Sequence, residues 1–233
     1  MEKVYGYRRI KVALKRIYGI IVNHKKVKRL MKKLGIKSVI RRKKFKYINP
    51  KNLVQGKVAP NLLNRNFKAS KLNEKWVRDI TYLYYGPTRK KMYLSALKDL
   101  YNNEIISYKL STSLNITFVE ETLYEAFKKS KKCDLSNLII HSDQGCHYKS
   151  HSCKNILQEN NITQSMSRKG ICYDNACIEN FFGHLKSELI YQTYFHTKAD
   201  LINAIDNYIY WYNNERFQQK LNNHTPVEFR CVV

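Results

Sequence analysis

The sequence predicts an α/β fold, a mixed sheet flanked by helices, preceded by a small all-α domain. Three observations carry that prediction. Two short helical spacings open a strongly basic first third, three β-patterned stretches with tight turns follow, and short apolar strands then alternate with amphipathic helices. The 233 residues suffice for a small domain plus a medium one, since domains commonly run to about 100–200 residues.

The first helix is read from "YGYRRIKVALKRIYG". Tyr7, Ile10, Leu14 and Ile17 recur at helical spacing, and Gly19 can take the left-handed conformation that ends a helix. Asn23 stands at an N-cap position for a second helix, with Val27, Leu30, Met31 and Leu34 as its apolar stripe and Gly35 as its stop. The other face carries Lys25, Lys26, Lys28, Arg29, Lys32 and Lys33. Two short helices across a capped turn suit a helix-turn-helix, whose second helix lies in the DNA major groove.

Charge agrees with this reading. Residues 1–75 hold 24 of the 43 lysines and arginines but only Glu2 and Glu74 as acids, a net of +22, while the other 158 residues carry 19 bases against 16 acids. Such density attracts a polyanion and gains affinity by releasing its counterions, so double-stranded DNA is the expected partner. A solvated lysine-rich surface, or a polybasic patch for anionic lipid, is the plainer alternative.

"RRKKFKY", Arg41 to Tyr47, interleaves aromatics with bases. Arg41, Arg42, Lys43 and Lys44 are expected either to track a phosphate backbone or to form a flexible basic linker. Residues 1–47 thus read as a basic helix-turn-helix domain. Residues 48–75, with Pro50, Gly56 and Pro60, read as the connection to the next domain, with a short helix around Leu62 to Phe67. No apolar run reaches the ~20 residues that span a bilayer and no signal-peptide core follows Met1, so a cytoplasmic protein with no membrane partner is expected.

The second domain, residues 76–233, opens on "WVRDITYLYY", alternating and rich in β-branched and aromatic residues, as a strand is. "MYLSALKDL" and "EIISYKLS" follow after turns at Gly86-Pro87 and Asn102-Asn103, which makes three antiparallel strands. Val119, Leu123 and Phe127 mark a helix over Asn115 to Lys129, with Ser113 or Asn115 as its cap. "NLIIHSD" is a short strand covered on both faces. A helix over Lys149 to Asn160, a strand near "TQSMS" and a long helix from Asp174, with further C-terminal helices, complete the domain.

Cys133, Cys146, Cys153, Cys172, Cys177 and Cys231 form no C-x-x-C pair, which argues against a zinc finger and for reduced thiols. Cys172, Cys177 and His184 are a poor set of metal ligands by the same spacing. The acids are better placed. Asp79 interrupts the first strand and Asp143 ends the fourth, at the carboxyl rim where open α/β sheets bind ligands. Glu179 lies at the margin of the stripe Ile178, Phe181, Phe182, Leu185 and Leu189, and Lys186 shares its face two turns on.

Three clustered carboxylates suit Mg²⁺, a hard cation that keeps substrate phosphate in its shell; a pair of such ions about 3.5–4 Å apart clamps the oxygens of a phosphoryl transfer. Each acid also has a structural alternative: a solvent-facing Asp, an Asx-turn, a surface Glu. Asp99, near a strand end, and Asp174, at an N-cap position, illustrate such roles. Spacing alone does not choose.

The stretches "YGYRRI", "VNHKKVKRLMKKLGI", "WVRDITYL", "YLSALKDLYNNEIISY", "HSDQGCHY", "SMSRKGICYDNACIENFFGHLKSE" and "YWYNNERFQQKLNNHTPVEF" together resemble the second-frame transposases of IS-three-type bacterial insertion sequences. They cover nearly the whole chain in the family's order. The resemblance implies a retroviral-integrase-like catalytic core of RNase H fold. It places the family's catalytic and metal-holding acids on Asp79, Asp143 and Glu179, the last two with 35 residues between them, and puts Lys186 at the position of a base that holds DNA.

The implied activity is that of a DDE transposase. Two magnesium ions, with Mn²⁺ as a substitute, would serve cleavage at the element's ends and transfer of the strand into target DNA. The implied partners are those two DNAs, a second copy of the chain when ends are paired, and an upstream-frame protein; the implied location is the bacterial nucleoid. Arg78 departs from the pattern, standing before Asp79 where Thr is common, and is expected either to weaken ion binding or to point outward. The helix-turn-helix lies close to Met1, which leaves a rival expectation, a truncated DNA-binding protein that occupies the ends without cutting. An RNase H-like nuclease is a third, and it leaves the basic segment unexplained.

Overall fold

The computed structural model describes residues 4–39, 58–130 and 133–232. The expected phosphate-tracking residues Arg41, Arg42, Lys43 and Lys44 lie outside that set. The basic segment begins with two helices, α1 (Tyr7–Tyr18) and α2 (His24–Lys33). Gly19 ends α1 at φ 66°, and the Asn23 side chain caps α2 by accepting the Lys25 N–H at 2.8 Å. The apolar stripe is less buried than its spacing predicts. Val27 is covered, whereas Ile17, Leu30 and Leu34 are 62 %, 41 % and 68 % exposed, because a two-helix hairpin closes only one side of its seam.

Among the described residues the sheet has five strands: β1 (Lys75–Tyr85), β2 (Lys90–Asp99), β3 (Ile105–Ser111), β4 (Ile139–Ser142) and β5 (Thr163–Met166). Their order is β3-β2-β1-β4-β5, with β1, β2 and β3 antiparallel and β4 and β5 parallel to β1. The sheet is therefore mixed, as predicted, and β1 is central. That position explains why Trp76, Val77 and Arg78 are buried in succession where alternation would expose every second residue. The hairpin turns take left-handed backbone at Gly86 (φ 70°) and Asn103 (φ 61°).

Between β3 and β4 runs α3 (Ile116–Lys129), capped by Asn115, whose side chain accepts the Phe118 N–H at 2.9 Å. The single helix expected over Lys149 to Asn160 is two, α4 (Cys146–Lys149) and α5 (His151–Glu159). Ser150 divides them, with its hydroxyl taking the Cys153 N–H at 3.2 Å; a serine that bonds the backbone favours a cap over a helix interior. The long helix is α6 (Ala176–Leu185), entered through a 3₁₀ turn at Cys172–Asn175 and continued by a π turn at Lys186–Ile190. Two further helices, α7 (Lys198–Asn214) and α8 (Pro226–Val232), close the chain.

Two cores sandwich the sheet. Val77, Leu83, Met92 and Leu94 pack on Phe181, Leu185, Ile205 and Tyr208 of α6 and α7. On the other face Trp76, Leu97 and Ile140 meet Leu123 and Ala126 of α3 and Ile156 and Leu157 of α5. The helix expected around Leu62 to Phe67 is absent. Asn64 and Arg65 take positive φ in succession, which no right-handed helix tolerates, and Leu63 drops into the core beneath the turn. The Leu62 and Leu63 N–H groups both donate to the Ser165 hydroxyl on β5.

The basic hairpin docks through α1 on the C-terminal elements. Arg16 donates to both Glu228 carboxylate oxygens, at 2.7 and 2.9 Å, and its guanidinium lies 4.8 Å from the Phe217 ring centroid. The charged face of α2 stays outside this contact, with Lys25, Lys26, Lys28, Arg29 and Lys32 all exposed.

Candidate active site

Parallel pairing of β1 with β4 decides which acids meet. The last paired residues are Val77 and His141. Two residues further along each strand stand Asp79 and Asp143, on neighbouring strands that run about 4.8 Å apart. β4 ends at Ser142, so Asp143 leaves the sheet just where β1 carries Asp79 on through its centre. Asp79 is half-buried and Asp143 exposed.

Local hydrogen bonds aim both side chains. Asp143 Oδ1 accepts the Gly145 N–H at 2.9 Å, the Asx-turn that was one structural alternative for this residue, and Asp79 Oδ1 accepts the Ile80 N–H at 2.7 Å. A Cβ at position 145 would stand 3.0 Å from Asp143 Oδ1, so glycine is what lets the turn close on the carboxylate. Glu179 projects from the first turn of α6, an exposed position where the helix dipole favours negative charge. Lys186 is half-buried where α6 passes into the π turn.

The electrostatics join the four groups. Burial first, then the charges of Asp143 and Glu179, push the Asp79 carboxyl up to about 8, against the Ile80 N–H and Lys186, which pull it down. Burial likewise pushes the Lys186 ammonium down, and Asp79 partly restores it. Among the described residues no three His, Cys, Asp or Glu side chains form a ready-made metal cage. The donor chemistry nevertheless fits a hard divalent cation: two carboxylates held side by side by the sheet, a third within their field, and an excess of negative charge written into Asp79.

One consequence is measurable without substrate. Folded Asp79 keeps its proton up to about pH 8, whereas the unfolded carboxyl loses it near pH 4, so in chelator this group makes stability fall as pH rises between those values. Asp79→Asn is therefore expected to melt above wild type at alkaline pH, with the gap closing towards pH 4, about 2–4 °C for each kcal/mol regained. Thermal melts in EDTA across that range read it directly, and a variant that melts lower throughout would contradict it.

Two residues near the site do not behave as the sequence suggested. Arg78 neither points outward nor faces the acids. It is buried on the opposite side of β1, 4.5 Å from the Tyr148 ring centroid, and donates to Cys153 Sγ at 3.3 Å. Asp174 is not an N-cap. It is fully buried beneath Arg168, which donates through Nε, Nη2 and its backbone N–H at 2.8, 2.9 and 3.1 Å, beneath Arg65 Nε at 2.8 Å and beneath Asn61 Nδ2 at 3.0 Å. These donors hold the carboxyl well below the usual carboxylate range. They tie residues 61–65 and the loop at Arg168 to the entry of α6, which sets where Glu179 begins. The sequence signals it only through basic residues, Arg168 six positions before it and Arg65 more than a hundred positions away.

The chain matches the integrase core domain family over residues 69–172 and a second integrase core domain family over residues 179–232, and residues 2–44 match an HTH-like domain. It is 45 % identical over 226 residues to a protein named as transposase InsK for insertion sequence element IS150 of Escherichia coli (strain K12), covering 97 % of this chain and 77 % of that one. A transposase-like protein of Haemophilus influenzae is 43 % identical over 211 residues, covering 91 % and 94 %. The fold is similar to that of the HTLV-2 integrase catalytic core domain in complex with magnesium, with a TM-score of 0.53 at 15 % identity over 70 % of this chain and 99 % of that one. It is similar too to a chain of the simian T-cell lymphotropic virus intasome, with a TM-score of 0.57 at 17 % identity over 94 % and 70 %.

Proposed function

Because the chain belongs to the IS-three-type insertion-sequence transposases, polynucleotidyl transferases of the DDE type with an RNase H-like core, we propose that it cleaves DNA at the ends of its element and joins the freed strand to a target. Asp79, Asp143 and Glu179 are the catalytic acids of this reading. The observation that carries it is the convergence of Asp79 and Asp143 on adjacent parallel strands, with Glu179 and Lys186 acting on the Asp79 carboxyl. Residues 1–47 serve as the helix-turn-helix domain, 48–75 as the connection and 76–233 as the catalytic core.

The three acids would hold two Mg²⁺, which supply Lewis-acid stabilisation of phosphoryl oxygens and a more acidic bound water. The chain's own residues then position. Asp79 and Asp143 are fixed by strand pairing and by their turn hydrogen bonds, so the donors move little as charge develops. Lys186 holds the scissile strand by its phosphate. In the first step water forms a bond to phosphorus and the bond to the 3′-oxygen breaks, leaving a 3′-hydroxyl and a 5′-phosphate. In the second, that hydroxyl attacks a target phosphodiester, and the displaced 3′-oxygen takes up the proton. No covalent bond to the protein forms.

Duplex DNA is held by Lys25, Lys26, Lys28, Arg29 and Lys32 on the exposed face of α2, with Arg41 to Lys44 continuing the basic track. Two copies of the chain pair the two ends. Among the described residues no helix is long and apolar enough to cross a membrane, and an enzyme acting on bacterial DNA works in the cytoplasm, at the nucleoid. Replacing Lys25, Lys28 and Arg29 by Ala is expected to lower the slope of log affinity against log salt by roughly one unit for each phosphate that α2 no longer neutralises. An unchanged slope would remove α2 from the interface. The reading as a whole is tested by incubating the protein with Mg²⁺ and labelled DNA from the flanks of its own gene and resolving nicked and joined strands.

A further inference from the structure

Beside the acids lies a concavity that shares Lys186 with the reaction and whose other lining residues neither step uses. It is walled by the end of β1, the turn at Gly86 and the segment after the π turn, and is lined by Tyr82, Tyr84, Arg89, Lys186, Tyr191 and Tyr194. The Gly86 N–H donates to the Phe195 carbonyl at 2.8 Å, which fixes the two walls to each other. Three of the tyrosines stand in solvent, Tyr82 at 53 %, Tyr191 at 73 % and Tyr194 at 57 % exposure, although aromatic rings gathered in one hollow ordinarily bury one another.

Cations stand over the same rings. Arg89 is 4.8 Å from the Tyr84 centroid, and Lys186 and Lys91 are 5.2 and 5.7 Å from that of Tyr82. Lys186 also feels the Asp79 carboxylate, so the hollow begins where the acidic site ends. Flat exposed rings interleaved with cations are what binds a single nucleotide out of its duplex: the base stacks, and the phosphate meets the cation. A paired base presents only its edges to the grooves and has no face to offer.

We propose that this pocket holds one unpaired nucleotide of the processed DNA strand, its base against Tyr82 and Tyr194 and its phosphate on Arg89, while Lys186 keeps the neighbouring scissile phosphate. The proposal rests on the reading that Asp79, Asp143 and Glu179 cut DNA, and it adds that the strand end is frayed before it is cut. Captured there, a flanking nucleotide keeps the scissile phosphate beside the acids.

The test compares flank DNA ending in fully paired duplex with the same DNA carrying three unpaired terminal nucleotides, and measures both affinity and Mg²⁺-dependent nicking. Wild type is expected to bind the unpaired end about tenfold more tightly, the scale of one stacked base. Tyr82→Ala/Tyr194→Ala is expected to bring that ratio close to one and to nick the paired end more slowly than the unpaired end, whereas Tyr82→Phe/Tyr194→Phe, which keeps the rings, retains the preference. If wild type nicks DNA but the Ala pair keeps the wild-type ratio, the pocket is not a nucleotide site and the enzymatic reading stands. If wild type nicks neither DNA and matches Glu179→Gln, the enzymatic reading fails and the pocket's role falls with it.

Discussion

Glu179→Gln is expected to lower strand cleavage by about 10³-fold or more, the scale of removing a charged group from a reacting centre, while leaving duplex binding intact. The change keeps the size of the side chain and removes only its charge. Glu179 is exposed on the first turn of α6, outside the core. In the proposed reading duplex binding belongs to the basic face of α2, whose hairpin docks through α1 on the C-terminal elements by Arg16 and Glu228. Gel shifts and a nicking assay on one preparation separate the two effects. Loss of both together would make Glu179 a structural residue.

Asp174→Ala is expected to be the most damaging single change to stability near the site, costing about 2–4 kcal/mol, or roughly 5–12 °C in melting temperature. The carboxylate is fully covered and accepts five hydrogen bonds, four of them from Arg168 and Arg65. Both arginine side chains are about half exposed, at 52 % and 49 %, so water recovers part of the loss. The pH dependence carries a sign. A carboxyl held below its usual range stabilises the fold above about pH 4, and that stability drains away as pH falls below it. Acid melts of wild type should therefore steepen below about pH 4, and Asp174→Asn should flatten them. An equal acid slope in both proteins would mean the ion pairs contribute nothing.

Much of the sheet was legible because its signals are local. The β-branched and aromatic residues of "WVRDITYLYY", a glycine and asparagines at hairpin turns, and asparagine caps at Asn23 and Asn115 all act within a few residues, and the structure has the strand, turns and caps where those signals put them. Asp143 was legible for the same reason, an acid at the end of a short apolar strand. That Asp79 could reach the same rim from a neighbouring strand was legible too, but the register that sets the two acids level was not, since parallel pairing is set by the whole sheet and joins strands more than fifty residues apart in the chain.

The misreadings share a cause. Asp174 looked like a cap because its neighbours in sequence allow one, yet its partners Asn61, Arg65 and Arg168 come together only in three dimensions. Leu62 to Phe67 looked helical by composition, and the tie of Leu62 and Leu63 to Ser165 overrode that preference. Arg78 looked like a base beside the acids, and the two-residue period of a strand sends it to the other face, against Tyr148. The tyrosines at positions 82 and 84 were read only as strand formers. Whether a strand's aromatics are buried or left open in a hollow depends on where the neighbouring strand stops, and β4 stops at Ser142.

That the acids at Asp79, Asp143 and Glu179 make this chain a DNA strand-transfer enzyme is tested most directly by the fate of a flank duplex whose cleaved strand is labelled at its 5′ end, on the element side of the cut, incubated with wild-type protein, Mg²⁺ and a second DNA. Label appearing in longer strands joined to the second DNA, and disappearing with chelator, is the predicted result. Protein that binds the flank tightly yet leaves the label at its original length, with Mg²⁺ or Mn²⁺ present, would contradict that role.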